Sequence, residues 1–433
     1  SSSLQALFLP SHLPDLLFPA LHGSGRLAGG SLAMFDFDEL EASKPSESVE
    51  RVWAMSDLHT DAKENLDFIE RLDSLAHRRD VLVLAGDISD NMAVVRQTVR
   101  SLRRKFARVF LVPGNHDLWV QRQQAADGCA DSLAKLAALE RLCAEEGVDT
   151  RPCRLAAASR RGTVGLWVVP LLSWHCPSFD SEPEIDERWR GIPRAEQVCS
   201  DYRLCRWPAP LDSFDDSVAE HFDALNDERP VEAGEDASRL EALMSGSRES
   251  GEVVISFSHF LPRIELLPEK RYLYFPTLAK FVGSPLLGRR VERLQPDVHV
   301  FGHTHFGWDQ EIDGIRYLSP PVGMPRERDQ RVSTISTGDF LEPAEHEEQP
   351  VRPVLVWDHA SGFASSYDAG WSGFYRKHRR EPQQVLVLPN YVAKMYEWDE
   401  QAHGPKSDVT GWQGKTPAWK FGPAWSQGRK RHY

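Results

Sequence analysis

Asp57-Leu58-His59, Gly86-Asp87, Gly114-Asn115-His116-Asp117, His259 and Gly302-His303-Thr304-His305 place carboxylate, amide and imidazole groups in five short segments spread over about 250 residues. All are metal-ligand types. Taken singly, Asp57-Leu58-His59 reads as a helix-capping aspartate followed by a surface histidine, and His259 reads as a hydrogen-bonded core histidine. Gly302-His303-Thr304-His305 is stronger alone, because two imidazoles two residues apart at a strand end point the same way. None of the six cysteines falls in these segments, which argues against a structural zinc cluster.

The elements that must position these groups are legible as well. Val52-Trp53-Ala54-Met55-Ser56 ends at Asp57, Val81-Leu82-Val83-Leu84-Ala85 ends at Gly86, and Val109-Phe110-Leu111-Val112 ends just before Gly114. Val253-Val254-Ile255-Ser256-Phe257 likewise precedes His259, and Val298 to Phe301 precedes Gly302. Short continuous apolar runs bounded by Gly or Pro suit strands buried on both faces. Each candidate group therefore sits just past the carboxyl end of a strand, where open α/β sheets collect ligands. Helical periodicity over roughly Ala62 to Ala76 and Asn91 to Phe106 separates the first three strands, and this alternation predicts a parallel sheet.

In this order and context the five segments resemble the calcineurin-like metallophosphoesterase superfamily, over about residues 51 to 320. The neighbourhoods Ser56 to Asp61, Gly114 to Trp119 and Pro170 to His175 are similar to its uncharacterised plant and green-algal branch. The resemblance implies an α/β fold, a four-layer α-β-β-α sandwich, here with N- and C-terminal extensions. It implies a first metal held by Asp57, His59, Asp87 and His305, and a second held by Asn115, His259 and His303, with Asp87 bridging. Imidazole with carboxylate or amide oxygens suits two divalent or trivalent ions of Mn, Fe or Zn better than Ca or Mg. A bridging hydroxide would attack phosphorus in line, and His116 is the candidate general acid for the leaving oxygen. Asp117 either orients that imidazole or caps the next helix.

The implied activity is metal-dependent hydrolysis of a phosphate ester. Phosphoprotein phosphatases of the superfamily extend the second block into Gly-Asp-x-Val-Asp-Arg-Gly and the third into Gly-Asn-His-Glu. This chain has Gly86-Asp87-Ile88-Ser89-Asp90 and Gly114-Asn115-His116-Asp117 instead, so a small phosphomonoester, nucleotide or phosphodiester is expected rather than a phosphoprotein. The alternative is a weakly catalytic or non-catalytic subunit of an assembly, docked through its terminal arms. Trp119 and Trp174-His175 either line a cleft or pack the core, His299 reads as structural, His77 as part of a solvated helix end, and Asp61 and Asp90 as surface residues.

Composition bounds the rest. A chain of 433 residues is long enough for one large α/β domain with extensions, and a net charge of −13 makes general attraction to nucleic acid unexpected. Six cysteines without close pairing suit a reducing, intracellular compartment, either cytoplasm or an organelle such as chloroplast or mitochondrion. Residues 1–49 are expected to form an N-terminal extension, whose low acidity and Ser content are compatible with a transit-peptide remnant while its few Arg argue against one, and Pro10, Pro14 and Pro19 interrupt its apolar stretch before it could span a bilayer. Residues 50–360 are expected to form the catalytic domain, with an insertion at about 176–250 that is too long for a plain loop. That insertion carries helical runs at Asp216 to Leu225 and Ser238 to Met244, and the acidic insertion either sets substrate choice, makes a surface for a protein partner or is a solvated flap. A Glu- and Pro-rich break at Glu342 to Pro353 precedes the strand Val354 to Trp357. Residues 361–433 are an aromatic and basic arm, with clusters at Arg376 to Arg380 and Arg429 to Arg431, that either wraps the domain or docks on a partner.

Overall fold

Asp80–Ala85 is buried along its whole length, and strands that hide both faces must be covered on each side. This strand, β2, runs parallel to β1 (Arg51–Met55) and β3 (Arg108–Val112) on its two sides. The sheet closes with β11 (Val354–Asp358), antiparallel to β1, and β12 (Gly362–Phe363) in the order β12-β11-β1-β2-β3. A second sheet has the order β4-β5-β7-β8-β10-β9, from β4 (Cys153–Ser159), β5 (Gly162–Pro170), β7 (Val253–Phe257), β8 (Val298–Val300), β9 (Trp308–Ile312) and β10 (Ile315–Ser319). The computed structural model describes residues 48–121, 129–159, 162–228, 235–328, 335 and 352–411. Of the expected features, the N-terminal extension as far as residue 47, most of the break at Glu342 to Pro353 and the Arg429 to Arg431 cluster lie outside them.

The inner faces of the two sheets meet in one apolar layer, where Val52, Val83 and Phe110 pack with Val168, Phe257 and Val300. The other face of the first sheet is covered by α1 (Lys63–Arg71), α2 (Met92–Arg103) and α3 (Ser132–Glu146), through residues such as Phe68, Val99 and Leu139. Next in the chain come α4 (Ser217–Asp227), α5 (Glu235–Met244) and α6 (Pro285–Leu294), followed by α7 (Gly370–Tyr375) beyond β12. Leu243, Val291 and Trp371 from α5, α6 and α7 cover the outer face of the second sheet around Trp167 and Tyr317. The layers therefore run α-β-β-α.

The expected parallel sheet holds for β1, β2 and β3, but each sheet is mixed, because β11 and β12 in the first and β4 and β9 in the second pair antiparallel. The first helix ends at Arg71, not near Ala76, since the Asp73 carboxylate accepts from Leu75 N and Ala76 N and so offers that backbone a competing turn. His77 does not trail into solvent: it stacks on Phe106 at 4.5 Å and bonds Asp80 at 2.8 Å. Helices α4 and α5 fall on the two runs expected within the insertion. Residues 364–411, beyond β12, are packed down, with Trp371 and Phe374 in the second-sheet cluster and Val392 and Tyr396 against Ile185 and Trp189. There β13 (Glu397–Trp398) pairs with β6 (Trp189–Arg190). In its basic cluster, Arg376 pairs with Asp368 and Arg380 with Glu182. All six cysteines are free thiols, and no helix among the described residues is long and apolar enough to cross a membrane.

Candidate metal centre

The loops after β1, β2, β3, β7 and β8 bring all seven expected donor residues, and His116, to one place. Five of the seven, Asp57, His59, Asp87, His303 and His305, have left-handed backbone with φ between 44° and 73°. Only Gln295 and Asp313 share that conformation among the other described non-glycine residues. It costs about 1–3 kcal/mol at each such position, and it turns each chain end sharply inward as it leaves its strand. Bonds between the loops hold these turns, with Asp57 N donating to Gly86 O, His59 N to Asp87 O and Gly302 N to His259 O. The loops also touch at backbone level. A Cβ on Gly86 would lie 2.5 Å from His259 Nδ1, and one on Gly114 would lie 2.6 Å from Asp87 N.

The donors fall into two groups about Asp87. In one, His59 Nε2 and His305 Nε2 are 2.9 Å apart, with Asp57 Oδ1 3.5 Å from His305 and Asp87 Oδ2 3.8 Å from His59. In the other, Asn115 Oδ1 lies 2.9 Å from His259 Nε2 and 3.0 Å from His303 Nδ1, with Asp87 Oδ1 3.5 Å from His259. The two oxygens of one carboxylate therefore face different sets of donors. Outer contacts fix which nitrogen faces inward in three of the four rings. His259 Nδ1 donates to Ala85 O at 2.9 Å, His303 Nε2 to Phe281 O at 2.9 Å, and His305 Nδ1 to Glu327 at 2.5 Å. His59 Nδ1 is buried with no hydrogen-bond partner.

The electrostatics fit cations. Burial, reinforced by the Asp117 and Asp57 carboxylates, pushes the Asp87 carboxyl well above its ordinary range. Burial likewise pushes His59 and His303 well below theirs, helped by neighbouring imidazoles. The Nε2 atoms of His59 and His305 face one another at 2.9 Å, an arrangement that suits an ion ligated by both at about 2.0–2.1 Å. Bound cations invert this pKa logic and favour the ionised carboxylate. Asp57, His59, Asp87 and His305 form a four-residue donor cluster, with Asp57, His59 and Asp87 fully buried and His305 partly open.

His116 lies at the partly open rim, its ring stacked on Trp119 at 3.6 Å and edge-on to His59 at 4.7 Å. Burial pushes it down to about 3. Asp117 neither orients that ring nor caps a helix through its side chain. Its two oxygens accept from the backbone N–H of Asp87, Ile88, Ser89 and Gly114 at 2.8–3.1 Å, so it staples the loop after β2 to the loop after β3. Trp174 is core, packed against Phe222, Phe260 and Trp207. His299 is structural, held between Ser256 and Ser258. Asp61 is exposed and Asp90 half-buried.

Sequence reasoning did not find Glu327 behind His305, nor Asp201 behind Asn115. Asp201 is buried, accepts from Asn115 Nδ2 at 2.8 Å and Trp119 Nε1 at 2.7 Å, and lies 3.3 Å from His175 Nε2, an ion-pair distance without hydrogen-bond alignment. Burial opposes its ionisation, but His175, His303 and the Asn115 amide together hold its carboxyl well below the usual range. No spacing in the sequence connects Asp201 to Asn115, 86 residues earlier.

Residues 50–157 match the calcineurin-like phosphoesterase family, and this match supports the calcineurin-like metallophosphoesterase superfamily for this protein. It is thus a hydrolase of phosphoric ester bonds in a metal-dependent family. Among curated proteins it is similar to the acyl-carrier-protein phosphodiesterase PptH of Mycobacterium tuberculosis, 27% identical over 279 residues that cover 64% of this chain and 78% of that protein. Among solved structures it is similar to the crystal structure of the phosphopantetheinyl hydrolase PptH from Mycobacterium tuberculosis, with a TM-score of 0.49 and 24% identity over 71% of this chain and 97% of that one. Asp57, His59, Asp87, Asn115 and His116 lie inside the family match, while His259, His303 and His305 lie beyond it.

Proposed function

We propose that this protein hydrolyses a small phosphate ester, with preference for a phosphodiester, at a dinuclear centre of Mn, Fe or Zn. The observation that carries the reading is Asp87, whose Oδ2 faces His59 and whose Oδ1 faces His259. Asp57, His59 and His305 would complete one ion's ligands, and Asn115, His259 and His303 the other's. Bound there, the pair would supply an activated hydroxide and neutralise charge developing on phosphorus. Asp87 holds the two donor groups in fixed relation, while the left-handed turns aim the donors before substrate arrives. His116, at the rim, is placed to donate a proton from its ring to the leaving oxygen. Half-buried at that rim and neutral in the free protein, it would take up that proton together with the anionic ester, whose charge favours the imidazolium.

A diester is favoured because its leaving alkoxide or phenoxide needs a proton, and because the relative in Mycobacterium tuberculosis is named a phosphodiesterase. Acyl carrier protein is accordingly the first natural diester to try. The decisive assay strips the metals, reloads with Mn, and compares bis(para-nitrophenyl) phosphate with para-nitrophenyl phosphate. Turnover concentrated on the diester is expected, with Asp87→Ala inactive on both esters. His116→Ala should lose about 10²- to 10⁴-fold on the diester while keeping its metals. Retained turnover by Asp87→Ala would overturn the two-metal reading.

A further inference from the structure

Asn115 offers an oxygen and a nitrogen of nearly the same size, and nothing in an isolated carboxamide decides which one faces the centre. In this chain a carboxylate decides it. Asp201, in the one-turn helix Asp201–Leu204 of the insertion, presents an acceptor-only oxygen 2.8 Å from Asn115 Nδ2, so Asn115 Oδ1 is left facing His259 and His303. The same oxygen takes the Trp119 indole N–H at 2.7 Å, and Trp119 is the plate on which the His116 ring lies. The insertion is stitched down at this point. Val120 N donates to Leu204 O, Ser132 N to Arg206 O, and Arg206 N to Ser132 Oγ, each at 2.8–3.0 Å.

We infer that Asp201 is a positioning residue of the metal centre: it locks the Asn115 carboxamide with its oxygen toward the second ion and fixes Trp119 beneath His116. The insertion thereby completes the active site from behind. The inference rests on the two-metal reading above. Without Asp201 the carboxamide can turn its N–H groups toward His259 and His303, where a donor repels a cation. Removing an outer partner of this kind weakens metal binding by about 10- to 100-fold, and here the loss should fall on one ion alone.

The test is Mn titration of the full-length, metal-stripped protein, reading bound Mn per chain and the spin-coupled Mn–Mn signal by electron paramagnetic resonance. Wild type should bind two ions; a wild type that binds one would remove the two-metal reading itself, and this inference with it. Asp201→Leu, close to Asp in shape but without an acceptor, should keep the first ion and bind the second at least 10-fold more weakly, with the coupled signal lost at matched Mn. Asp201→Asn, which keeps an acceptor oxygen, should recover part of that affinity. In an Asn115→Ala background, neither change should have a further effect. If Asp201→Leu fails to fold, Asp201→Asn decides. A weakened second ion that becomes insensitive once Asn115 is gone supports the inference, and an unchanged second ion in a folded variant overturns it.

Discussion

Asp117 lies in the sequence beside the candidate acid, yet its work is done on backbone. One carboxylate satisfies four buried N–H groups on two ligand loops, so its removal leaves donors that water reaches poorly. Each such orphan costs about 1–3 kcal/mol. Asp117→Ala should therefore lower stability by roughly 3 kcal/mol or more, measured by urea unfolding of the metal-stripped protein. A loss below about 1 kcal/mol would mean that the two loops hold each other without it. The seven donors and His116 were readable in the chain because each sits in a short contiguous block with its own strand in front. The roles of Asp117, Glu327 and Asp201 were not, because a side chain that bonds distant backbone or a distant amide leaves no periodic mark.

At the scale of elements, the six strands expected from the sequence were legible to within a residue or two, because continuous apolar runs do not depend on partners. Helix ends were less so, and Asp73 ends the first helix early through two local bonds. The strand β8 carries a second consequence. His299 sits inside it between two serine hydroxyls, and burial pushes it down to about 3. Its folded pKa lies below the ordinary value of about 6.5, so between these two the unfolded chain binds a proton that the folded chain refuses. This contribution to stability is whole above about pH 6.5 and shrinks as pH falls toward 3. Between pH 7 and pH 5 it should amount to about 2 kcal/mol. His299→Gln, which keeps a partner for the serines and cannot titrate, should show a flatter fall over that range in parallel urea melts. Identical slopes in the two proteins would refute the assignment.

For the whole molecule, residues 364–411 after β12 are part of the fold. Trp371 and Phe374 cover the outer face of the second sheet, Arg380 reaches Glu182, and Trp189 Nε1 donates to Leu386 O. Burying each large apolar side chain contributes about 1.5–3 kcal/mol. A chain ending at Phe363 should consequently bind a hydrophobic dye and melt at lower temperature than the full chain, and an unchanged melt would show that the segment is dispensable. By itself the sequence determined which candidate donor residues would be brought together, which strands deliver them and that hydrolysis of a phosphate ester is the reaction of the class. Those properties are local, written in residue type and in the runs on either side. Only the tertiary structure decided that the two sheets are mixed, that five candidate donor positions take left-handed backbone, and that a carboxylate from the insertion reaches Asn115. Each of these depends on segments far apart in the chain meeting at hydrogen-bond distance, and no spacing along the chain encodes such a meeting.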